Sequence, residues 1–405
     1  MVSWQGAIDD LVERHFDHLV HLRRHLHQFP EPSGFETQTS FHLYTLLGDA
    51  GIDVQLGPNG CGVIADCICG ADSDEDSSLR RIAVRGDIDA LRIHDEKDVA
   101  YRSQCDGIMH ACGHDVHTAI AAGTMLVLHD IPSAAFPAPF AARGILQPAE
   151  ETCHGASELI TDGVIDDVDA IFSVHVDPSL QIGQVGLRRG VLTASCDEFS
   201  ITIRGTGGHG ARPHLAKDPI GAAADLIHAM YLHVPRVTDS QESVVLSIGQ
   251  ISGGHSFNVI PETLTLRGSL RTLSTKVRDI SVAHLHRIAQ SIGALTETSI
   301  TIEFGISAPP VDNHRRETEI VRKVATRILG SESIVKIDRP SMGSEDFAFY
   351  LQRIPGCMAR LGCASTNRGG QGLHTTLFDV DEDAIRIGVR LMANSMIESA
   401  MGNID

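Results

Sequence analysis

The sequence predicts an α/β fold in two parts: a larger domain with a mixed sheet flanked by helices, and a smaller, inserted domain with ferredoxin-like α+β topology. First, the chain has 405 residues, which exceeds the length of one typical domain. Second, short apolar strands alternate with helices in the N-terminal half, as they do in layered α/β folds. Third, a middle segment follows the order β-α-β-β-α-β, which is the ferredoxin-like order.

The first part of the larger domain is predicted to begin with two helices and to continue as strands and helices in alternation. The predicted elements are a helix over 4–29, a helix over 36–50, strands over 62–68 and 81–89, a buried helix over 115–129, and strands over 142–151 and 170–176. The acidic run ADSDEDSS (71–78) is predicted to be the solvated tip of a hairpin. Functional groups are expected beyond the carboxyl ends of the strands, where ligands of such sheets bind.

Strict alternation of apolar and polar residues, typical of strands with one side open to water, begins the inserted domain. Its predicted elements are a strand over 197–207, a helix over 218–233, strands over 243–253 and 263–273, a helix over 275–291 and a strand over 299–305. Helices near 315–329, near 344–352 and over 382–401 then resume the larger domain. The predicted boundaries are 1–194 and 306–405 for the larger domain and 195–305 for the inserted one, with junctions that can hinge.

Composition and charge narrow the classes of partner and the expected location. The net charge of −19 argues against nucleic acids and anionic membranes as partners. No apolar run reaches the ~18 residues of a transmembrane helix, and the N-terminal segment lacks the pattern of a signal peptide. Nine scattered cysteines without the spacing of a disulfide framework fit a reducing compartment. The sequence therefore predicts a cytoplasmic protein.

The segment HACGHDVHTA (110–119) concentrates three histidines, a cysteine and an aspartate within a few positions. Cys112 and His114 flank a glycine, and a tight turn there can aim a thiolate and an imidazole at one point. A structural zinc site needs four protein ligands, commonly supplied as two close pairs, and the sequence has no CxxC pair. Taken alone, the segment is more typical of a structural or surface turn than of a ligand set.

Three further segments add candidate donors. QPAEE ends with Glu150 and Glu151 after an apolar strand, where neighbouring side chains point in opposite directions. One carboxylate can then bind a metal while the other meets water. VHV contains His175 within an apolar strand, and GLHTTLF contains His374 in a loop. Each has an ordinary structural explanation, such as a solvated strand end or a core histidine, but together they supply S, N and O donors near strand ends.

These segments belong to a longer set along which the sequence resembles the M20 metallopeptidase family. Within it, the resemblance is to the amidohydrolase subgroup of hippurate hydrolases, N-acyl-amino-acid hydrolases and auxin-conjugate hydrolases. The matching segments are LRRHLHQFPEPSGFET (22–37), RGDIDAL (85–91), HACGHDVHTA, QPAEE, GGHGARPH (207–214), FNVIPE (257–262), GSLRTL (268–273), GSEDFAFY (343–350) and LHTTLFDVDE (373–382). The resemblance implies a catalytic α/β domain with an inserted lid that often forms the dimer contact.

The resemblance also implies two divalent metal ions, Mn²⁺ or Zn²⁺, held by five residues. The implied ligands are Cys112, His114, Glu151, His175 and His374. Cys112 is implied to bridge the two ions, where related peptidases use an aspartate. His110 and His117 are then not ligands: His110 is expected to shape the turn, and His117 lies one turn into the helix. Asp89 and Asp115 are candidates to orient the imidazoles of the ligands.

The implied reaction is hydrolysis of the amide bond of an N-acyl amino acid, which releases a carboxylic acid and a free amino acid. Glu150 is implied as the general base that takes a proton from water and passes it to the leaving amine. His209, in the GTGGHG turn, is implied to stabilise the oxyanion, from its own chain or from a partner subunit. Asn258 and Arg271 match residues that contact substrate. The expected partners are a small-molecule substrate and further copies of the chain, in a homodimer or higher homo-oligomer formed through the inserted domain.

One position departs from the family pattern, because Arg92 follows DAL where the family usually has proline. The arginine could add a positive charge that faces the substrate, or only alter a loop. Two alternatives to the amidohydrolase remain: a dipeptidase or aminopeptidase of the same family, and a catalytically silent binding protein on the same fold. The Cys-x-His pair favours the amidohydrolase subgroup, and the presence of Glu150 with all the implied ligands counts against a silent protein.

Overall fold

A mixed eight-stranded sheet forms the centre of the larger of two units into which the chain divides. The computed structural model describes residues 3–71, 79–366 and 368–402. Unit 1 consists of Met1–Gly190, Asp312–Arg339 and Asp346–Asp405, and unit 2 consists of Val191–Val311 and Pro340–Glu345.

The helices and strands are numbered here in chain order. The helices are α1 (Trp4–Gln28), α2 (Thr37–Asp49), α3 (His114–Asp130), α4 (Gly155–Thr161), α5 (Pro219–Val237), α6 (Thr275–Thr296), α7 (Arg315–Leu329), α8 (Ala348–Leu351) and α9 (Asp383–Ala400). The strands are β1 (Asp53–Leu56), β2 (Val63–Cys69), β3 (Arg81–Asp87), β4 (Phe140–Gln147), β5 (Ala170–Gln181), β6 (Val185–Leu187), β7 (Gly190–Val191), β8 (Ser195–Arg204), β9 (Gly208–His209), β10 (Val244–Gly253), β11 (Val259–Ile260), β12 (Thr263–Thr272), β13 (Ser299–Ala308), β14 (Asp312–Asn313), β15 (Ile334–Lys336) and β16 (Gly356–Ala364). In the part of the chain that the structure describes, no helix is long and apolar enough to cross a membrane.

The strand order of unit 1 places β3 between two parallel neighbours. The order is β1-β2-β4-β3-β5-β16-β6-β15. Since β3 is parallel to both β4 and β5, the carboxyl ends of these three strands meet at one edge of the sheet. The predicted hairpin between β2 and β3 is wrong, because β4 lies between them and pairs with both. An acidic run indicates a solvated segment but not the pairing of the strands beside it, and residues 72–78 lie outside the described residues.

α1 begins at a capped N-terminus and carries an apolar stripe. The Gly6 N–H donates to Ser3 Oγ at 3.2 Å, which satisfies one of the free amide groups of the first turn. Buried apolar residues recur three, four or seven positions apart on one face of the helix and include Ile8, Leu11, Val12, Leu19, Leu22 and Leu26. Two buried polar residues, Arg23 and His27, accompany this stripe. The helix therefore brings charge as well as apolar surface into the core.

α3 is buried along almost its whole length and packs against the sheet, α1 and α9. Small residues allow these close contacts. A Cβ atom added to Gly123 of α3 would lie 2.6 Å from Leu19 Cδ1 of α1. A Cβ atom added to Gly388 of α9 would lie 2.8 Å from Ile120 Cγ1 of α3. Since these distances are too short for real Cβ atoms, the two glycines set how closely the helices approach.

Unit 2 contains a four-stranded antiparallel sheet with the order β10-β12-β8-β13. α5 and α6 pack against this sheet. The chain order β8-α5-β10-β12-α6-β13 is the ferredoxin-like order that the sequence predicts. The unit has its own apolar core, which includes Ile201, Leu226, Leu266 and Leu285. The predicted fold class is therefore confirmed.

Unit 2 also contains Pro340–Glu345, a segment that the sequence pattern assigned to the larger domain. Backbone hydrogen bonds hold this segment within the unit. The Ser341 N–H donates to the Leu192 carbonyl oxygen at 2.9 Å, and the Ala194 N–H donates to the Gly343 carbonyl oxygen at 3.0 Å. The division into independent domains at 194 and 306, with a hinge between them, stays a prediction.

The contact between α3 and α9 generates a stability prediction for Gly388→Ala. Alanine is favoured over glycine in a helix interior by about 1 kcal/mol. Here, however, the added Cβ would clash with Ile120 Cδ1 as well as approach its Cγ1, and overpacking of a core costs ~1–3 kcal/mol. We expect a lower free energy of unfolding for the variant, measured by urea denaturation.

Gly221 of α5 provides the matched control, because it is exposed and its added Cβ would lie no closer than 3.5 Å to Asp218. Gly221→Ala should leave the free energy of unfolding unchanged or raise it. Adding Ile120→Val to Gly388→Ala should recover part of the loss, since valine lacks the clashing Cδ1 atom. An unchanged or higher stability of Gly388→Ala would contradict the proposed role of the glycine.

Candidate metal centre

The candidate metal centre lies at the carboxyl ends of β3, β4 and β5. Asp87, the last residue of β3, pairs with Gln147, the last residue of β4. On the other side, Arg85 of β3 pairs with Ser173 of β5, so that His175 lies two residues further along, level with Asp87. This is the edge of the sheet at which functional groups were expected.

The turn between Cys112 and His114 depends on its central glycine. Gly113 has a φ of +88°, in the left-handed region that favours glycine, and it is the N-cap residue of α3. A Cβ atom at this position would also clash with Val176 Cγ2 of β5. Glycine is therefore required both by the backbone conformation and by the close approach of the turn to the strand.

Glu150 and Glu151 lie in a turn after β4, and not on the extended strand that the sequence predicted there. β4 ends at Gln147, and Ala149 has a φ of +54°, which turns the chain away from the strand direction. Glu150 Oε2 lies 3.8 Å and Glu151 Oε1 lies 3.9 Å from His114 Nε2. The two carboxylates thus converge on one imidazole, whereas on a strand they would point in opposite directions.

Five side chains bring their donor atoms together in two overlapping groups. The donor atoms of Cys112, His114 and His175 lie within 4.8 Å of one another, as do those of Cys112, Glu151 and His374. Cys112 Sγ lies 3.5 Å from His175 Nε2 and 3.3 Å from His374 Nε2. His374 Nε2 lies 3.4 Å from Glu151 Oε1. A thiol, imidazoles and a carboxylate are donors that zinc and similar cations take, so the set fits two divalent ions that share the thiol.

Hydrogen bonds direct Nε2 of two of these imidazoles toward the donor groups. His114 Nδ1 donates to the Asp89 carbonyl oxygen at 2.9 Å and lies 3.1 Å from Asp89 Oδ1. His175 Nδ1 donates to the Val176 carbonyl oxygen at 2.7 Å. Each bond leaves the lone pair on Nε2 for a metal. Among the residues that the structure describes, the buried atoms His114 Nε2 and Glu151 Oε1 have no hydrogen-bond partner. A bound cation would supply each of these atoms with a partner.

The loop that carries His374 is fixed to the turn that carries Cys112. The His374 N–H donates to the Ala111 carbonyl oxygen at 2.8 Å. His374 itself has a φ of +60°, a left-handed conformation that is uncommon for residues other than glycine. Strained backbone of this kind persists where the surrounding structure holds it, which is common at functional sites.

His117 and His110 are buried, but neither belongs to the two groups of donor atoms that share Cys112. The Val176 N–H donates to His117 Nε2 at 2.8 Å, so Nδ1 carries the ring proton and donates to Asp87 Oδ1 at 2.7 Å. Asp87, His114 and His117 lie close enough to hold a cation, but both nitrogens of His117 are already engaged. Among the described residues, His110 belongs to no group of donor atoms close enough to hold a cation, and burial lowers its pKa to about 3.

Burial and neighbouring charges set the protonation of the donors. Burial raises the pKa of the Cys112 thiol to about 12 and lowers the pKa of His175 well below its ordinary value. Burial also disfavours the charged form of His114, but Asp87 and the hydrogen bond to Asp89 outweigh it and raise the pKa of His114. The Cys112 thiol is therefore protonated unless a cation stabilises the thiolate.

Asp115 follows His114 in the sequence, but its carboxylate joins a buried ion network with α1. Asp115 Oδ2 accepts hydrogen bonds from Arg23 Nε and from His27 Nδ1, both at 2.8 Å. Arg23 is fully buried and also donates to Asp379 at 2.9 Å. Burial would raise the pKa of Asp115, but Arg23 and His27 hold it well below its usual range. Asp115 thus connects α1 to the start of α3.

Asp87 is a buried carboxylate of the centre that sequence reasoning missed. It forms ion pairs with Arg85 and with His117. Arg85 is itself buried and donates to Asp346 at 2.8 Å. Burial would raise the pKa of Asp87, but Arg85, His114 and His117 lower it well below its ordinary value. The alternation in RGDIDAL was the available signal, because residues two apart on a strand point to the same side.

Glu36 was also missed, although it lies in one of the matching segments. Its Oε1 accepts a hydrogen bond from the Ala149 N–H at 2.8 Å, which supports the turn that carries the two glutamates. Burial and the nearby Asp89 raise the pKa of Glu36 to about 7. Ser33, close by in sequence, donates to Asp89 Oδ2 at 2.6 Å. The PSGFET segment therefore supports both the turn after β4 and the Asp89 carboxylate, which orients the His114 imidazole.

His209, Asn258 and Arg271 belong to unit 2. Pairing of the short strands β9 and β11 brings His209 and Asn258 together, and both are exposed. The Ala211 N–H donates to His209 Nδ1 at 3.0 Å, so in the neutral ring Nε2 carries the proton. Arg271 lies on β12, and its Nη1 donates to the Met342 carbonyl oxygen at 2.9 Å.

Known proteins resemble the chain over almost its whole length. Residues 83–398 match the family described as Peptidase family M20/M25/M40. The chain is 37% identical over 368 residues to N-acetyl-L-cysteine deacetylase of Bacillus subtilis (strain 168), covering 91% of this chain and 84% of that protein. It is 32% identical over 387 residues to IAA-amino acid hydrolase ILR1-like 5 of Arabidopsis thaliana, covering 94% of this chain and 86% of that protein.

A solved structure agrees with these matches. The YXEP protein of Bacillus subtilis, described as a dinuclear metal binding peptidase from the M20 family, is 30% identical with a TM-score of 0.81. The alignment covers 96% of this chain and 99% of that one. The resemblance stated from the sequence motifs is confirmed, and the chain belongs to peptidase family M20/M25/M40.

Proposed function

We propose that this chain hydrolyses the amide bond of N-acyl amino acids with two divalent metal ions and releases a carboxylic acid and a free amino acid. The proposal is carried by one observation: the Cys112 thiol belongs to two groups of donor atoms that could hold a metal ion, with Glu150 3.8 Å from His114 of the first group. Membership of a hydrolase family and the named activities of its relatives, a deacetylase and an amino acid conjugate hydrolase, support it.

In this proposal Cys112, His114 and His175 would hold one metal ion, and Cys112, Glu151 and His374 would hold the other. When bound, the metals lower the pKa of water and polarise the acyl oxygen of the substrate. The thiolate favours zinc, whereas the carboxylate and imidazoles also suit manganese, so the proposal includes both metals.

The proposed reaction depends on Glu150 as a general base. Its carboxylate takes a proton from the attacking water and passes that proton to the amide nitrogen as the carbon–nitrogen bond breaks. Asp89 contributes by holding the His114 ring with Nε2 toward the donors. His209 is proposed to donate from Nε2 to the oxyanion, from its own chain or from a partner subunit, while Asn258 and Arg271 bind the substrate.

Three further parts of the proposal concern the setting of the reaction. A homodimer or higher homo-oligomer formed through the inserted domain and a cytoplasmic location stay predictions from the sequence. Arg92 is exposed and directly follows the bridge between Leu91 and Met109. A positive charge at this position is proposed to modify the preference for the acyl group, which pocket shape otherwise decides.

The proposed activity is tested by incubating the metal-loaded protein with acetyl-, benzoyl- and indoleacetyl-amino acids and measuring release of the free amino acid. We expect turnover of at least one of these conjugates and loss of that turnover after treatment with a chelator. Dipeptides form the second arm, since preferred cleavage of dipeptides would support the peptidase alternative. Failure to cleave any conjugate or dipeptide would remove the basis for an enzyme.

Replacement of Glu150 by glutamine tests the proposed base. Glutamine keeps the shape of the side chain but cannot accept a proton from water at neutral pH. We expect kcat to fall by ~10²–10⁴, while both metal ions remain bound, as measured by amine release and by inductively coupled plasma mass spectrometry. The matched control is Glu158→Gln, an exposed carboxylate in α4, which should keep full activity. A fully active Glu150→Gln enzyme would show that another group is the base.

Metal content tests whether the thiol is shared. Cys112→Ala removes a donor from both groups, so we expect it to weaken the binding of both ions. His374→Ala removes a donor from one group only, and one ion should remain. His117→Asn is the control, because both His117 nitrogens are engaged by Val176 and Asp87 and we expect both ions to stay bound.

The ions are counted per chain by mass spectrometry, and circular dichroism shows that each variant is folded. Two tightly bound ions in Cys112→Ala would refute the shared position of the thiol. Equal loss of metal from His117→Asn and Cys112→Ala would mean that the Asp87, His114 and His117 group holds a metal instead.

A further inference from the structure

A strongly basic pocket lies at the edge of the eight-stranded sheet, within unit 1. Its volume is about 1060 Å³. β6 and the edge strand β15 are parallel neighbours, so their carboxyl ends meet at one place. Arg188 and Arg189 directly follow β6, Lys336 is the last residue of β15, and all three line the pocket. Ligands of open α/β sheets bind beyond the carboxyl ends of strands, and this position is outside the candidate metal centre.

The first half of α7 provides the other basic wall of the pocket. Arg315, Arg316, Arg322 and Lys323 line it, together with Glu319. These residues recur three to four positions apart, so they share one side of the helix. The N-terminal part of a helix also has a partial positive charge, which favours anions. Helix and strand ends therefore present cations to the same cavity.

The charge balance of the pocket is opposite to that of the whole chain. Seven of the 33 lysines and arginines line this one pocket, whereas Glu319 is its single acidic residue. The chain as a whole has a net charge of −19. Gathering like charges in one cavity is unfavourable because they repel one another, and a bound anion relieves that repulsion.

Three of the cations remain available for a ligand. Three other cations of the pocket already have partners. Arg322 Nε donates to Glu319 Oε2 at 2.8 Å, and Lys336 Nζ lies 2.9 Å from Asp338 Oδ1. Arg188 donates to the backbone carbonyl oxygens of Ile337 and Asp338. By contrast, the side chains of Arg189, Arg315 and Lys323, which also line the pocket, make no hydrogen bond or ion pair with any residue in 3–71, 79–366 and 368–402.

We propose that this pocket binds a small, multiply charged anion with two or more phosphate or carboxylate groups. Guanidinium groups form paired hydrogen bonds with both groups. Leu187, Ile334 and Ile337 line the pocket as well and provide apolar contact for the uncharged part of the ligand. The volume suits a small molecule, and the negative charge of the whole chain opposes the approach of a nucleic acid.

The experiment is isothermal titration calorimetry on the full, metal-loaded chain at low ionic strength. The probes are fructose 1,6-bisphosphate and tricarballylate, with fructose as the uncharged control. We expect saturable binding of at least one anion, none of fructose, and weaker binding as sodium chloride is added, since salt screens the charges. The difference between the two anions shows whether phosphate or carboxylate is the better ligand.

The variant Arg315→Gln/Lys323→Gln tests the site itself. We expect its Kd for the bound anion to rise at least about tenfold, because each lost charge-assisted hydrogen bond contributes on the order of a factor of ten. Arg327→Gln is the control on the same helix: Arg327 contacts Glu398 and Asn394 and does not line the pocket, so affinity should not change. Failure of both anions to bind at about 1 mM, or equal binding by the double variant, would overturn the proposal.

Discussion

The burial of the Cys112 thiol among imidazole and carboxylate donors is the constraint on which the rest of the centre depends. Burial raises the pKa of this thiol to about 12, so the site without a cation holds a neutral thiol. It also holds buried donor atoms, such as His114 Nε2, that have no hydrogen-bond partner within the described residues. A divalent cation stabilises the thiolate and satisfies these lone pairs together. The Gly113 turn, the strand ends and the His374 loop are the parts of the chain that bring the donors into range.

The backbone of one residue, Val176, assigns different roles to two neighbouring histidines. The Val176 carbonyl oxygen accepts a hydrogen bond from His175 Nδ1, which leaves Nε2 of that ring free to bind a metal. The Val176 N–H donates to His117 Nε2, which removes that lone pair from ligation. Asp87 accepts a hydrogen bond from His117 Nδ1, so both nitrogens of the His117 ring are hydrogen-bonded. Residue type and burial are alike in the two cases, so hydrogen bonding decides which histidine is a candidate ligand.

The sequence predicted the features that depend on local pattern and missed those that depend on distant contacts. Alternation and element order were sufficient for the fold class, because both follow from which side of a strand or helix is buried. The residues alone left HACGHDVHTA as a turn, and the ligand assignment came from the family resemblance. Nothing in QPAEE requires the left-handed conformation of Ala149 that makes Glu150 and Glu151 converge. The Arg23–Asp115 ion pair joins residues 92 positions apart, and no local pattern indicates such a contact.

The assembly of the centre costs free energy that a bound cation offsets. Left-handed backbone at Ala149 and His374 costs on the order of 1–3 kcal/mol at each residue. Each buried donor atom without a partner adds on the order of 1–3 kcal/mol. A ligand that binds only the folded state stabilises it by mass action, so metal binding and the conformation of these turns are coupled. The turns with Glu151 and His374 would therefore be stabilised by the same ions that they are proposed to bind.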